Sequence, residues 1–307
     1  MTSEPEATSD PEYSVLDLHG RRRAMLSWGA AGAPLMLMLH GFPDTAWTWR
    51  RVAPLIAAEG WRVVAPFSRG YAPSDLADDG NYQLGALVSD VMDLYDALDA
   101  DARTVLVGHD WGAMTAYGVG ALSPARFARV VTLSVAPHAT LQRAMRESGV
   151  GLALRQLRCS WYILFNQLPG VAERTFVPLV RRLWADWSPG LDASFELDQL
   201  LRALPTREHR AAAVGYYRAL LQPWRRLDVY AEYQRACEAV PTMPTLFMHG
   251  TKDGALLPEF ATGAITDLTA GSRLVMIDGA GHFPQLERPE LVADEILSFL
   301  ERSRSEG

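Results

Sequence analysis

The chain has 307 residues, 49% of them hydrophobic, which is enough to bury a large α/β core and still carry an insertion. Its 29 basic and 36 acidic residues leave a formal charge of −7, and with no basic stripe to neutralise phosphates, nucleic acid is excluded as a partner. Two cysteines, Cys159 and Cys237, cannot make a disulfide framework, and no C-x-x-C or H-E-x-x-H spacing calls for a metal.

In chain order, residues 1–12 are acidic and polar, unlike a signal or transit peptide, so a disordered tail over 1–13 and a cytoplasmic location are expected. The apolar run 34–39 is far too short to cross a bilayer, so no membrane association is expected. Segments 15–18 and 24–28 read as an opening hairpin, 35–39 as a buried strand, 46–58 as a helix and 62–66 as the next strand. Over 84–98, apolar residues recur at Leu84, Leu87, Val88, Val91, Leu94, Tyr95 and Leu98, the period of a helix. Strands are predicted at 104–107 and 130–135.

From 137 to 236 the strand pattern stops. This stretch holds Trp161, Trp184, Trp187 and Trp224, many leucines and arginines, and Pro-Gly breaks at Pro169-Gly170 and Pro189-Gly190, which predicts a helical insertion. Strands resume at 245–248 and 273–277, and 290–300 closes the chain as an amphipathic helix. The alternation predicts an α/β fold with a mostly parallel central sheet flanked by helices, divided into core residues 14–136, an insertion over 137–236 and core residues 237–307.

The most informative motif is Gly108-His109-Asp110-Trp111-Gly112, directly after a predicted strand. It has the form of a G-x-nucleophile-x-G elbow, in which small flanking residues allow a sharp strand-to-helix turn to expose the central side chain, but it carries aspartate where serine is usual. A serine attacking a saturated carbon would leave an ether that water cannot readily open. A carboxylate leaves an ester, which activated water can hydrolyse. Asp110 therefore points to an sp3 carbon electrophile such as an epoxide or an alkyl halide.

Asp253 follows the predicted strand 245–248, and His282 follows 273–277, which gives the order nucleophile, acid, histidine at the carboxyl ends of strands. A polar loop residue after a strand is commonplace, but three at matching positions are not. His282 is suited to take a proton from water near neutral pH, and Asp253 to orient its ring. The N–H groups of Trp111 and Phe42 are the candidate oxyanion donors. Pro43 has no N–H, and its place in His40-Gly41-Phe42-Pro43 predicts a fixed turn of the kind that admits a cis peptide.

His40-Gly41-Phe42-Pro43-Asp44 with Trp47 and Trp49-Arg50, then Arg69-Gly70-Tyr71, Gly108-His109-Asp110-Trp111-Gly112 and Gly281-His282, together resemble the α/β-hydrolase-fold epoxide hydrolases over residues 14 to 302. The resemblance implies a helical cap over the site, an apolar epoxide and water as substrates, no cofactor, and two cap tyrosines that hold and protonate the epoxide oxygen. Tyr162, ahead of Phe165-Asn166-Gln167-Leu168-Pro169-Gly170, matches the first tyrosine region. Tyr217 matches the second, with Tyr216 as its direct competitor. Substrate contacts are thus expected from Phe42, Trp111, Tyr162 and Tyr217.

The sequence departs from the family at Phe67, where aspartate is common, and at Ala72, where glycine is common. His138 follows a strand after which some relatives carry the acid, but 134–139 holds no carboxylate, which leaves that role to Asp253. A haloalkane dehalogenase resembles the same fold, with Asp110, His282 and Trp111 in equivalent use. Phe42, in place of a polar halide ligand, and the two tyrosines count against it. A ligand-binding protein without activity is the third alternative, disfavoured because every catalytic position is intact. Cys159 and Cys237 are expected as free buried thiols, and a monomer or homodimer is expected.

Overall fold

The computed structural model describes residues 10–305. Residues 1–9 of the expected tail lie outside the described residues. Glu12 and Tyr13, assigned above to that tail, already pair with Ser27 and Leu26 in the first strand pair. Eight strands form one sheet: β1 Glu12–Leu18, β2 Arg21–Trp28, β3 Leu35–Leu39, β4 Arg62–Pro66, β5 Val105–His109, β6 Arg129–Leu133, β7 Thr245–Gly250 and β8 Arg273–Ile277. Their spatial order is β1-β2-β4-β3-β5-β6-β7-β8. β1–β2 and β2–β4 are antiparallel, and all the remaining pairings are parallel.

The central strands β3 and β5 are buried along their whole length, as expected for parallel strands covered on both faces, and this is why they read as unbroken apolar runs. Outer strand β1 instead alternates between exposed and half-buried positions. The strand order reverses around β3, whose neighbours are β4 and β5. Loops leaving the carboxyl ends of β3 and β5 therefore face each other across the crevice where open α/β sheets bind ligands.

Thirteen α-helices are among the described residues: α1 Ala53–Ala58, α2 Leu84–Ala97, α3 Trp111–Leu122, α4 His138–Glu147, α5 Val150–Cys159, α6 Trp161–Phe165, α7 Val171–Arg174, α8 Phe176–Trp187, α9 Ser194–Ala203, α10 Arg207–Leu221, α11 Ala231–Ala236, α12 Pro284–Glu287 and α13 Pro289–Ser305. Among those residues, no helix is long and apolar enough to cross a membrane. The helix expected over 46–58 is instead two pieces, a 3-10 turn Ala46–Trp49 and then α1. Thr45 caps the first by accepting the Trp47 N–H. Pro54, which lacks an N–H, fits only the opening turn of the second.

Between β6 and β7 every regular element is helical. At its two ends the insertion lies on the α/β layer: α4 packs on the turns Pro258–Phe260 and Ala264–Asp267, and α11 packs on α2 and α3. Both cysteines are free, Cys237 buried as expected but Cys159 only half-buried, because α5 leaves much of its surface in solvent.

The loop after β4 is anchored from within. Arg69, 1% exposed, makes a forked pair with Asp90 of α2 at 2.6 and 2.7 Å, and Arg23 adds a third bond at 3.1 Å. Burial opposes ionisation of Asp90, but the two guanidinium groups outweigh it and hold its pKa below the ordinary range. Removing one member of a buried ion pair costs about 3–5 kcal/mol. Asp90→Ala should therefore lower the unfolding free energy by about 3 kcal/mol, read from urea titration. A change below about 0.5 kcal/mol would mean that solvent reaches the pair and screens it.

Candidate active site

Asp110 stands between β5 and α3 with φ +52° and ψ −115°. Such a conformation costs a non-glycine residue of order 1–3 kcal/mol unless its surroundings impose it. They do so by close backbone packing. A Cβ on Gly108 would fall 2.1 Å from the Gly112 carbonyl oxygen, and one on Gly112 would fall 2.3 Å from that of Leu39. Only glycine lets the strand, the turn and the helix approach this closely.

The Asp110 carboxylate is buried. Its Oδ1 accepts the Phe42 N–H at 2.7 Å, and its Oδ2 lies 3.7 Å from Nε2 of His282. The loop after β3 comes near enough because Gly41 has no side chain, since a Cβ there would fall 2.4 Å from Oδ1. The Phe42-Pro43 peptide is cis. Trp111 opens α3, so its N–H is among the first-turn donors that have no partner inside the helix.

His282 lies in the turn after β8. Its Nδ1 is 2.9 Å from Oδ2 of Asp253, whose Oδ1 accepts the N–H groups of Ala255 at 2.7 Å and Leu256 at 3.1 Å. An acceptor at this distance keeps a proton on Nδ1, and Nε2 faces Asp110. Burial acts to lower the His282 pKa, but the carboxylates of Asp253 and Asp110 outweigh it and raise the value to about 10. Burial likewise opposes the Asp253 anion, and the imidazolium charge overcomes this to hold its pKa below the usual range.

The His282 carbonyl accepts from Oγ of Ser134 at 2.7 Å and from the His109 ring at 2.8 Å. Burial pushes the pKa of His109 down to about 3, so this ring is a neutral donor. His40 is also neutral, lowered to about 4 by burial, with one ring nitrogen accepting the Ser68 N–H and the other donating to the Gly41 carbonyl.

Two phenols complete the chamber. Tyr162 of α6 and Tyr217 of α10 meet edge to face with centroids 5.3 Å apart. The Tyr217 ring also contacts Phe42 at 4.9 Å and Trp111 at 5.3 Å. Burial raises the pKa of both tyrosines, so each stays a neutral donor. Tyr216 also meets Trp111, at 5.4 Å, but from the other side: it stacks on Tyr82, and its hydroxyl donates to the Arg69 carbonyl at 2.8 Å. The Tyr217 hydroxyl, the Trp111 indole nitrogen and Nε2 of His282 are all buried at this site, Nε2 with Asp110 Oδ2 3.7 Å away.

The seven candidate residues Phe42, Asp110, Trp111, Tyr162, Tyr217, Asp253 and His282 are therefore linked in one buried cluster. His138 does not join them; it opens α4 and meets Gln142. Sequence reasoning passed over Ser134, and it noted Trp187 only among the insertion's tryptophans. The Trp187 ring lies between Tyr162 at 5.0 Å and His282 at 4.8 Å. Ser134 left one local trace, its position at the end of a predicted strand. Trp187 left none beyond composition. Among the described residues, no group of three or more His, Cys, Asp or Glu side chains is arranged to hold a metal ion.

Residues 36–295 match the alpha/beta hydrolase family. The chain is 30% identical to epoxide hydrolase A of Mycobacterium tuberculosis, covering 94% of this chain and 97% of that one. It is 32% identical to an epoxide hydrolase of Caballeronia sordidicola, covering 87% of each. The crystal structure of epoxide hydrolase A from Mycobacterium thermoresistibile superposes with a TM-score of 0.74 at 27% identity, covering 95% of this chain and 98% of that one. The chain thus belongs to the alpha/beta hydrolase family, and within it to the epoxide hydrolases.

Asp253→Asn removes one of the two anions that hold the proton on His282. The imidazole pKa should then fall toward its unperturbed value near 6.5, measured by NMR titration of the labelled ring. An unmoved titration would show that Asp253 is not what raises it.

Proposed function

We propose that the chain converts a small apolar epoxide into a vicinal diol through an alkyl ester on Asp110. The observation that carries this is the placement of the Asp110 carboxylate, with one oxygen on the Phe42 N–H and the other turned toward His282 beneath two phenols. In the first step, a lone pair of Oδ2 forms a bond to an epoxide carbon. The C–O bond breaks and its electron pair goes to the ring oxygen, which takes a proton from Tyr162 or Tyr217. An alkoxide is a stronger base than a phenolate, and burial penalises both anions alike, so the proton passes from the phenol to the leaving oxygen.

In the second step, His282 removes a proton from water, and the oxygen attacks the ester carbonyl carbon of Asp110. The carbonyl oxygen is then Oδ1, already held by Phe42, and Trp111 at the start of α3 is the second donor to its developing charge. Collapse releases the diol as its departing alkoxide takes the proton from the imidazolium, and the new carboxylic acid of Asp110 gives its proton back to the phenolate left by the first step, which restores both the carboxylate and the phenol. Asp253 keeps the ring in register and balances its charge.

Esterification also readies the base. It removes the charge of Asp110, one of the two anions that raise the His282 pKa, so the ring gives up its proton more easily once the ester exists.

Helices α5 to α10 form the lid of the chamber in this reading, with the cap taken over 137–236. Tyr217 is favoured over Tyr216 because the Tyr216 hydroxyl is occupied by Arg69. A cytoplasmic setting fits the two free thiols.

A single turnover in heavy-oxygen water should give a diol with ordinary oxygen, donated by Asp110, and later turnovers should carry the label. Label in the first diol would mean direct attack by water. His282→Gln should form the alkyl adduct and fail to release it, seen by intact mass, and steady turnover by that variant would remove His282 as base. In wild type, ester hydrolysis needs the neutral ring, so its rate should fall about tenfold per pH unit below the base's pKa in the ester. Alkylation should lack that limb, and stopped-flow measurement of the two phases separates them.

A further inference from the structure

The last turn of α8 reaches down to both loops of the candidate acid and base. The Trp187 carbonyl, at the end of that helix and so without an intrahelical partner, accepts the Gly254 N–H at 3.1 Å and the His282 N–H at 3.0 Å. Gly254 neighbours Asp253, so a single carbonyl oxygen ties together the two loops that must stay in register. The next residue repeats the pattern with its side chain. Ser188 Oγ accepts the Phe283 N–H at 3.2 Å and donates to Oε1 of Glu287 at 2.8 Å, and Glu287 accepts the Gly281 N–H at 2.9 Å. The backbone N–H groups of 281, 282 and 283 are thus all held, two of them directly from the insertion.

The approach is close enough to exclude side chains. A Cβ on Gly254 would fall 2.0 Å from the Asp186 carbonyl oxygen, and one on Gly281 would fall 2.5 Å from Ser188 Oγ. A helix C-terminus carries partial negative charge and favours a nearby cation, here the imidazolium that forms during ester hydrolysis.

We infer that Trp187 and Ser188, with Glu287, are positioning residues for His282: the end of α8 sets the register between acid and base. This rests on His282 being the base of ester hydrolysis.

Ser188→Ala should slow hydrolysis of the alkyl-enzyme about tenfold, as expected for one lost hydrogen bond, while alkylation stays within about twofold of wild type. The adduct should accumulate in intact-mass spectra. The acid limb of the hydrolysis phase should move to lower pH, because a ring less well aligned with Asp253 holds its proton less tightly. Glu287→Ala should behave likewise and serves if Ser188→Ala does not fold. Glu287→Gln, which keeps an acceptor for Gly281, should recover most of the rate. Equal slowing of both phases, or hydrolysis unchanged in both alanine variants, would overturn the inference. His282→Gln is the reference. If it traps adduct while the alanine variants hydrolyse normally, the base assignment stands and the positioning role falls. If it traps none, the base assignment falls and takes the positioning role with it.

Discussion

The Phe42 N–H on the buried Asp110 carboxylate is the contact around which the rest of the chamber is arranged. A carboxylate taken out of water loses several kcal/mol of solvation unless paired and hydrogen-bonded, yet one tightly bound on both oxygens would be a poor nucleophile. Here the two oxygens are treated differently. One is fixed by a backbone donor, and the other stands 3.7 Å from an imidazole, near enough for charge balance and too far for a full hydrogen bond. The start of α3 adds a favourable potential without occupying either oxygen. Charge is thereby kept in the chamber with one oxygen still free to react.

Holding that geometry depends on where side chains are missing. Gly41 lets the loop after β3 lie over the carboxylate, Gly108 and Gly112 let the elbow close, and a Cβ on Gly250 would collide with the Gly281 carbonyl oxygen at 2.1 Å. These backbones touch because β3, β5, β7 and β8 run parallel and end at the same edge of the sheet. Topology gathers the loops, and glycine allows them to meet.

The same distinction explains what could be read from the chain. Strands β3, β4 and β8 were legible to the residue because each is a five-residue, mainly apolar run set off by turn-forming residues, whether fully buried like β3 or half-buried like β8. The elbow, Asp253 and His282 were legible because each sits one turn beyond such a run. The break at Arg50 to Val52 was not, since arginine is a good helix former and only the ring of Pro54 marks where the second piece must begin. Tyr216 and Tyr217 could not be separated by composition either. They are neighbours on one helix and point about 100° apart, so only the packing of α10 against Arg69 on one side and Phe42 on the other distinguishes them. Trp187 acts through its backbone carbonyl, an atom every residue has, and no side-chain pattern could have marked it.

The choice of phenols opposite Asp110 follows from the same electrostatics. A lysine or a second histidine there would be a better acid in water, but in this buried chamber it would pair with the carboxylate and tie up the oxygen that must attack. A neutral carboxylic acid would be a strong donor as well. It would stand beside an existing carboxylate, and like charges at such range cannot both ionise, so the proton would be shared and the nucleophile weakened. A tyrosine whose pKa burial has raised carries no charge and competes for none. In the proposed reaction it becomes a useful acid only against something as basic as an alkoxide, which would exist there only while an epoxide is being opened. In that proposal the donors are silent toward the resting carboxylate and active toward the leaving oxygen, a discrimination set by the difference in basicity between a carboxylate and an alkoxide.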